Sequence, residues 1–136
     1  MTAKSLSSLP ANLALILESK AFTYLSTTMG DGSSQVSPVW FEVKDEHVFI
    51  NSAQGRLKDR NMRARPKVGL AMANPENPYN YIGIRGTVVE ISEEGADSHI
   101  DSLAKKYLGV DEYPHRQEGE VRVIYKIRPD NIFAMG

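Results

Sequence analysis

The chain contains no cysteine. That excludes disulfides, thiolate nucleophiles, iron–sulfur clusters and Cys-ligated zinc together. No segment approaches the roughly 20 consecutive apolar residues that span a bilayer. The apolar stretch near the start, Leu13 to Leu17, covers only about a turn and a half of helix. It has neither a basic n-region nor an A-x-A cleavage site, so a cytoplasmic and complete chain is expected. The net charge of -1 excludes a polycation that would coat nucleic acid. There is no H-E-x-x-H, no G-x-S-x-G, no P-loop and no G-x-G-x-x-G. His47, His99 and His115 lack the spacing of a metal site. No metal ligand and no catalytic side chain is therefore expected, and any difficult redox step falls to a borrowed cofactor.

What is present reads as one domain spanning residues 1–136, with many short strands. A first helix carries Leu9, Leu13, Ile16 and Leu17 on one face, capped by Ser7 or Ser8 with Pro10 in its first turn. Strands are expected at Phe22–Met29, Gln35–Val43, His47–Ser52, Lys67–Ala73, Tyr79–Ser92 and Glu120–Arg128. Gly30-Asp31-Gly32 supplies the positive φ of a hairpin turn. Pro38 removes a ladder donor and belongs at an edge, and Gly83 and Gly86 mark a bend, a bulge or a close backbone approach. A short helix over Arg56–Arg65 stops at Pro66, and a third over Glu93–Leu108 is capped by Gly109. Antiparallel strands at this density close into a barrel or stack as a sandwich, because open edges invite aggregation.

Three segments carry chemistry. Arg56, Lys58, Arg60, Arg63, Arg65 and Lys67 fall within twelve residues. They follow a strand end, Asn51-Ser52-Ala53, and open a helix, whose free N–H groups attract anions. A hydroxyl, a forked guanidinium and an ammonium together suit a phosphate, although a solvated helix face accounts for the charge equally well. Nucleic acid would require a wider basic surface with stacking aromatics, so none is expected. In Gln35–Phe41, Trp40 and Phe41 point to opposite faces, one to the core and one to a ligand or a partner. In Asn77–Arg85, Tyr79, Tyr81 and Arg85 share a face that can stack on a planar ligand or form a subunit interface.

The runs G-D-G-x3-V-S-P-V-W-F, N-S-A-x-G-R-x-K-x-R-N-M-R, P-K-V-G-L and N-P-Y-x-Y-x-x-I-R-G, in that order, resemble the pyridoxamine-phosphate-oxidase-like split barrels. Within them the likeness is greatest to the branch that uses the deazaflavin coenzyme F420. The resemblance implies a mainly β fold, a six-stranded antiparallel split β-barrel of Greek-key type with two or three short helices. It implies a homodimer with cofactor at the interface and hydride transfer to a small organic substrate. By the same resemblance Arg56, Lys58, Arg60 and Asn61 hold the cofactor phosphate, and Asn51, Ser52 and Ala53 line that end. Gln35, Ser37, Pro38, Val39 and Trp40 run past the ring, and Tyr79, Tyr81 and Arg85 approach from the partner chain. Coenzyme F420 is the expected cofactor, with FMN as the alternative, and Arg63, Arg65 and Lys67 are available to the F420 tail. A cofactor-binding protein without turnover is the other reading. No C-terminal extension of the kind that binds pyridoxamine phosphate is evident.

Overall fold

The computed structural model describes residues 1–136. A two-residue strand β1 (Thr2–Ala3) and a 3-10 turn (Leu6–Ser8) lead into helix α1 (Ala11–Glu18). Strands β2 (Thr23–Thr28), β3 (Ser34–Val39), β4 (Glu42–Lys44) and β5 (His47–Ala53) follow. Helix α2 (Leu57–Ala64) precedes β6 (Lys67–Asn74) and the long β7 (Asn77–Ser92), and helix α3 (Ala96–Leu108) precedes β8 (Arg122–Met135). All ladders are antiparallel, in the order β3-β2-β6-β7-β8-β5-β4, with β1 paired to β8.

Eight strands stand where six are expected, for two reasons. The expected strand over Gln35–Val43 breaks at Trp40-Phe41 into β3 and β4, which pair with different neighbours at opposite ends of the sheet. Only those two residues join the ends, a span of at most about 11 Å for three Cα steps. The sheet must therefore curl to bring its first and last strands together. The second addition, β1, has only two residues and no pattern of its own, and β8 supplies its ladder. β8 also runs past the expected stop at Arg128. Its Pro129 pairs with Gly86 at a register shift, where a missing N–H does no harm.

Other expectations hold with physical reasons on view. Pro38 lies on the edge strand β3. A Cβ on Gly86 would sit 2.8 Å from Ile127 and 2.9 Å from the Arg128 carbonyl, so that glycine is required by close approach. Gly83 shows no such crowding and stays in regular register. Gly32 takes φ +89° in the β2–β3 turn. The start of α1 differs from expectation, with Leu9 outside the helix. Pro10 itself is the N-cap of α1, and Ser5 and Ser8 cap the preceding 3-10 turn instead.

The interior of the curled sheet is filled by 22 buried apolar residues. Leu13, Ile16 and Leu17 of α1 plug it, and Phe41, Ile50, Met62 and Tyr125 meet there. A smaller cluster of Ile100, Leu103 and Tyr107 lies under α3, with Trp40 and Tyr113 packed on it. No helix is long and apolar enough to cross a membrane.

Candidate functional site

The site grows from the link between β5 and α2. Gly55 turns the chain at φ +91°, a conformation that a side chain resists. Asp59 then anchors the turn. Its carboxylate is 1% exposed and accepts hydrogen bonds from the Gly55 N–H at 2.9 Å, Arg63 Nε at 2.9 Å and the Tyr125 hydroxyl at 2.6 Å. Burial opposes its charge, but these bonds prevail and hold the carboxyl below its ordinary range. The opening turn of α2, with Arg56 as N-cap, is thereby fixed against the ends of β5 and β8.

Beside that turn lies a cleft of about 200 Å³. Its floor is the β5 end with Asn51 and Ser52, and one wall is Pro38, Val39 and Trp40 from the β3–β4 crossover. Arg56, Lys58 and Arg122 bring three cations to it, and no carboxylate lines it. Glu120 stands behind them, 3.3 Å from Arg56 Nη2 and 2.9 Å from Arg122 Nη1. Lys58 makes no ion pair. Burial, then Arg56 and Arg122, push its ammonium below the ordinary lysine range. The Ser52 hydroxyl is buried with no hydrogen-bond partner. An orphaned donor and a desolvated, unpaired cation are both costly unless an anion answers them.

The aromatic wall is rigid. Trp40 stacks on Tyr107 at 5.1 Å with 5° between planes, and Tyr113 meets it edge-on at 5.9 Å. The Tyr107 hydroxyl donates to the Ala21 carbonyl at 2.6 Å and accepts from the Phe41 N–H at 3.3 Å. Burial pushes that phenol up to about 12, so it remains a neutral donor at any ordinary pH. Trp40 therefore both closes the small cluster and faces the cleft. The arrangement offers donors for an anion beside flat apolar faces, a setting for a phosphorylated planar ligand.

Seven of the expected site residues meet here: Pro38, Val39, Trp40, Asn51, Ser52, Arg56 and Lys58. Others do not. Gln35 accepts from Thr27, and Asn61 is 3% exposed, donating to Thr27 and accepting from Arg65. Asn61 thus serves the β2–α2 packing. Ser37 has a buried, unpartnered hydroxyl outside the cleft lining. Ala53 lies buried against the turn, and Arg60 is exposed and outside the cleft lining. Tyr79, Tyr81 and Arg85 stand on another face altogether. Tyr79 is 83% exposed, Tyr81 packs against Phe133, and Arg85 borders an outer groove with Tyr24, Val36 and Phe133. Of the cations set aside for an F420 tail, Arg63 is tied to Asp59 and Arg65 to the Thr28 carbonyl and Asn61. Lys67 makes no side-chain bond.

Sequence reasoning missed Arg122, Tyr113 and His115, which complete the cleft. Arg122 opens a strand on the face it shares with Lys126 and Arg128, so alternation marks it as a solvent-facing cation and gives no sign of its burial. Tyr113 and His115 sit in a polar loop. Arg116 straps that loop to α3 through Asp97 and Asp101 at 3.1 and 2.6 Å.

The family described as pyridoxamine 5'-phosphate oxidase matches residues 9–136. Among solved structures, an F420 reductase is 28% identical with a TM-score of 0.80, over 92% of this chain and 98% of that one. A conserved hypothetical protein of Mycobacterium tuberculosis shares the fold at 18% identity and TM-score 0.74, over 99% of this chain and 89% of that one. General stress protein 26 of Bacillus anthracis shares it at 21% identity and TM-score 0.65, over 90% of each chain. None of the curated proteins matches the chain.

Proposed function

This chain belongs to the pyridoxamine 5'-phosphate oxidase family of split barrels, and from that premise we propose that it is a deazaflavin-dependent oxidoreductase acting on a small organic substrate. The observation that carries the reading is the cleft where Lys58 and the Ser52 hydroxyl lie without partners, beside Arg56 and with no carboxylate in the lining. These groups fit the phosphate shared by coenzyme F420 and FMN. The preference for F420 rests on the 28% identical F420 reductase.

Lys58 and Arg56 would neutralise the phosphate, and Ser52 would donate to it. The bound cofactor supplies the hydride chemistry. The Pro38–Trp40 segment would hold the ring plane, and the strapped Tyr113 loop would keep water from one side. Orientation and exclusion of water are then the protein's contribution, with no nucleophile required.

The working form in this reading is a homodimer. Tyr24, Val36, Tyr79 and Met135 are 55, 57, 83 and 48% exposed on the outer face of the sheet, a large apolar display for a lone chain. That face also carries Tyr81 and Arg85, which reach a cofactor only if it is the partner's. Sedimentation at micromolar concentration should give a dimer.

FMN and coenzyme F420, titrated in parallel, test the assignment. Trp40 is the only tryptophan, so quenching of its emission reports occupancy of the cleft. The expected result is saturable quenching with F420 binding tighter. Absence of binding by both, or unchanged emission at saturation, rejects the proposal.

A further inference from the structure

Beside the cleft a polar chain runs from a half-exposed carboxylate on β4 to a buried guanidinium on β8, and the chemistry of its members determines every proton in it. Asn51 is 8% exposed, and its amide has three partners. Its Oδ1 accepts from Arg122 Nε at 2.9 Å, and its Nδ2 donates to the Ala96 carbonyl at 2.8 Å. A guanidinium can only donate and a carbonyl can only accept, so the amide cannot be turned over. The same Nδ2 lies 3.1 Å from His99 Nδ1, which must therefore be the unprotonated nitrogen. The proton of a neutral imidazole is then on Nε2, and that atom lies 2.8 Å from the Glu42 carboxylate, an acceptor. Each contact is consistent with the next, from Glu42 through His99 and Asn51 to Arg122.

Arg122 is where the chain ends and the cleft begins. The residue is 5% exposed, with Nε on Asn51 and Nη1 on Glu120. Its second terminal nitrogen, Nη2, has no hydrogen-bond partner within the chain, and the side chain lines the same cleft as Lys58 and Ser52. The guanidinium carbon lies over the Tyr113 ring, 5.2 Å from its centroid, and the bonds to Asn51 and Glu120 fix its orientation. Three cations, Arg56, Lys58 and Arg122, thus face the single carboxylate of Glu120, an excess that a dianionic phosphate monoester would balance.

Resting on the phosphate-site reading above, we infer that Arg122 is a further phosphate-binding residue, and that Asn51, His99 and Glu42 are positioning residues that aim its guanidinium. His99 works as the neutral Nε2–H tautomer. Its imidazole links the α3 side of the molecule to the anion site without touching the ligand.

The test uses the full chain, with FMN and coenzyme F420 as probes and the imidazole nitrogens of His99 observed by NMR. In the unaltered protein His99 should show a protonated Nε2 and a bare Nδ1. Arg122→Gln should weaken both probes by about tenfold to a hundredfold, the range for a lost hydrogen bond to a charged group. Asn51→Asp keeps an acceptor for Arg122 but removes the donor to His99. It should weaken both probes to a similar extent, because the new carboxylate competes with the phosphate, and should leave His99 protonated on both nitrogens. His99→Gln should cost less, about threefold, since Asn51 keeps its bond to Ala96. The thermal midpoint without probe shows which variants fold, and the tautomer needs no variant. A His99 protonated on Nδ1 in the unaltered protein overturns the relay. Lys58→Ala that weakens binding while folded Arg122→Gln does not overturns this inference alone. Lys58→Ala without effect overturns the phosphate-site reading, and the role of Arg122 with it.

Discussion

At the start of α2, Lys58 stands half-buried with no counter-ion, while at the end of the helix Arg63 and Arg65 are each tied to the chain that carries them. The two halves of one basic run have nearly the same composition and opposite uses. In the last turn, Arg63 closes on buried Asp59, and Arg65 reaches the Thr28 carbonyl at 2.7 Å and Asn61 at 3.1 Å. Arg65 holds the helix to β2, and Arg63 braces the buried carboxylate that anchors its first turn. In the first turn the cations face a cleft and exceed the carboxylates near them. An unpaired, partly desolvated ammonium destabilises the fold, and an anionic ligand offsets that cost. The contrast separates cations that are paired within the fold from the half-buried one that is left without a partner, and the proposed function assigns that one to the ligand.

The contrast can be broken most severely at Asp59. Asp59→Ala strands the Tyr125 hydroxyl and the Gly55 N–H and removes the anchor of the turn. We expect a loss of about 3 kcal/mol in urea unfolding without cofactor. The carboxyl of Asp59 is held below its unfolded value of about 3.9, so its stabilisation is fully present above that pH. The stabilisation is lost as pH falls through the lower folded value. Acid unfolding of the Asp59→Ala variant should therefore lack this component, and an unchanged acid limb would show that Asp59 is not the anchor.

Lys58→Ala addresses the other half. Cofactor affinity should fall about tenfold to a hundredfold, as for loss of a charge-assisted hydrogen bond. The thermal midpoint of the cofactor-free protein should hold or rise. The folded environment depresses the Lys58 ammonium, a penalty present at neutral pH that the substitution removes. A drop in both affinity and stability would place Lys58 with the structural cations.

Arg65→Ala should show the reverse pattern. It loses two hydrogen bonds, one to the Thr28 carbonyl of β2 and one to Asn61 of its own helix, and about 1–2 kcal/mol of stability should go with them, while cofactor affinity stays the same. The smallest effect is expected at Arg60. It is exposed and makes no side-chain bond, so Arg60→Ala should change either measurement by less than about 0.5 kcal/mol. A larger affinity loss at Arg60 than at Lys58 would reverse the assignment of faces on α2.

Local chemistry was legible in the residues themselves. The Gly30–Gly32 turn, the edge position of Pro38, the stop of α2 at Pro66 and the cap of α3 at Gly109 each depend on the backbone freedom of one or two residues. The apolar faces of α1 and α3 follow from periodicity, and cation density after a strand end marks the β5–α2 link as a candidate anion site. That density does not separate Arg56 and Lys58 from the other four cations of the run, and the family resemblance named them together with Arg60 and Asn61. Only the tertiary structure decided which cations remain free, because their partners come from afar. Tyr125 reaches Asp59 across 66 residues, and Arg122 reaches Asn51 across 71. The break at Trp40-Phe41 is of the same kind. Its residues favour an extended chain throughout, and the change of neighbours there arises from curling of the sheet, which no local pattern encodes. A periodicity records which face of an element is buried. It carries no record of what that face will meet, and the meeting determines whether a charge supports the fold or remains available to a ligand.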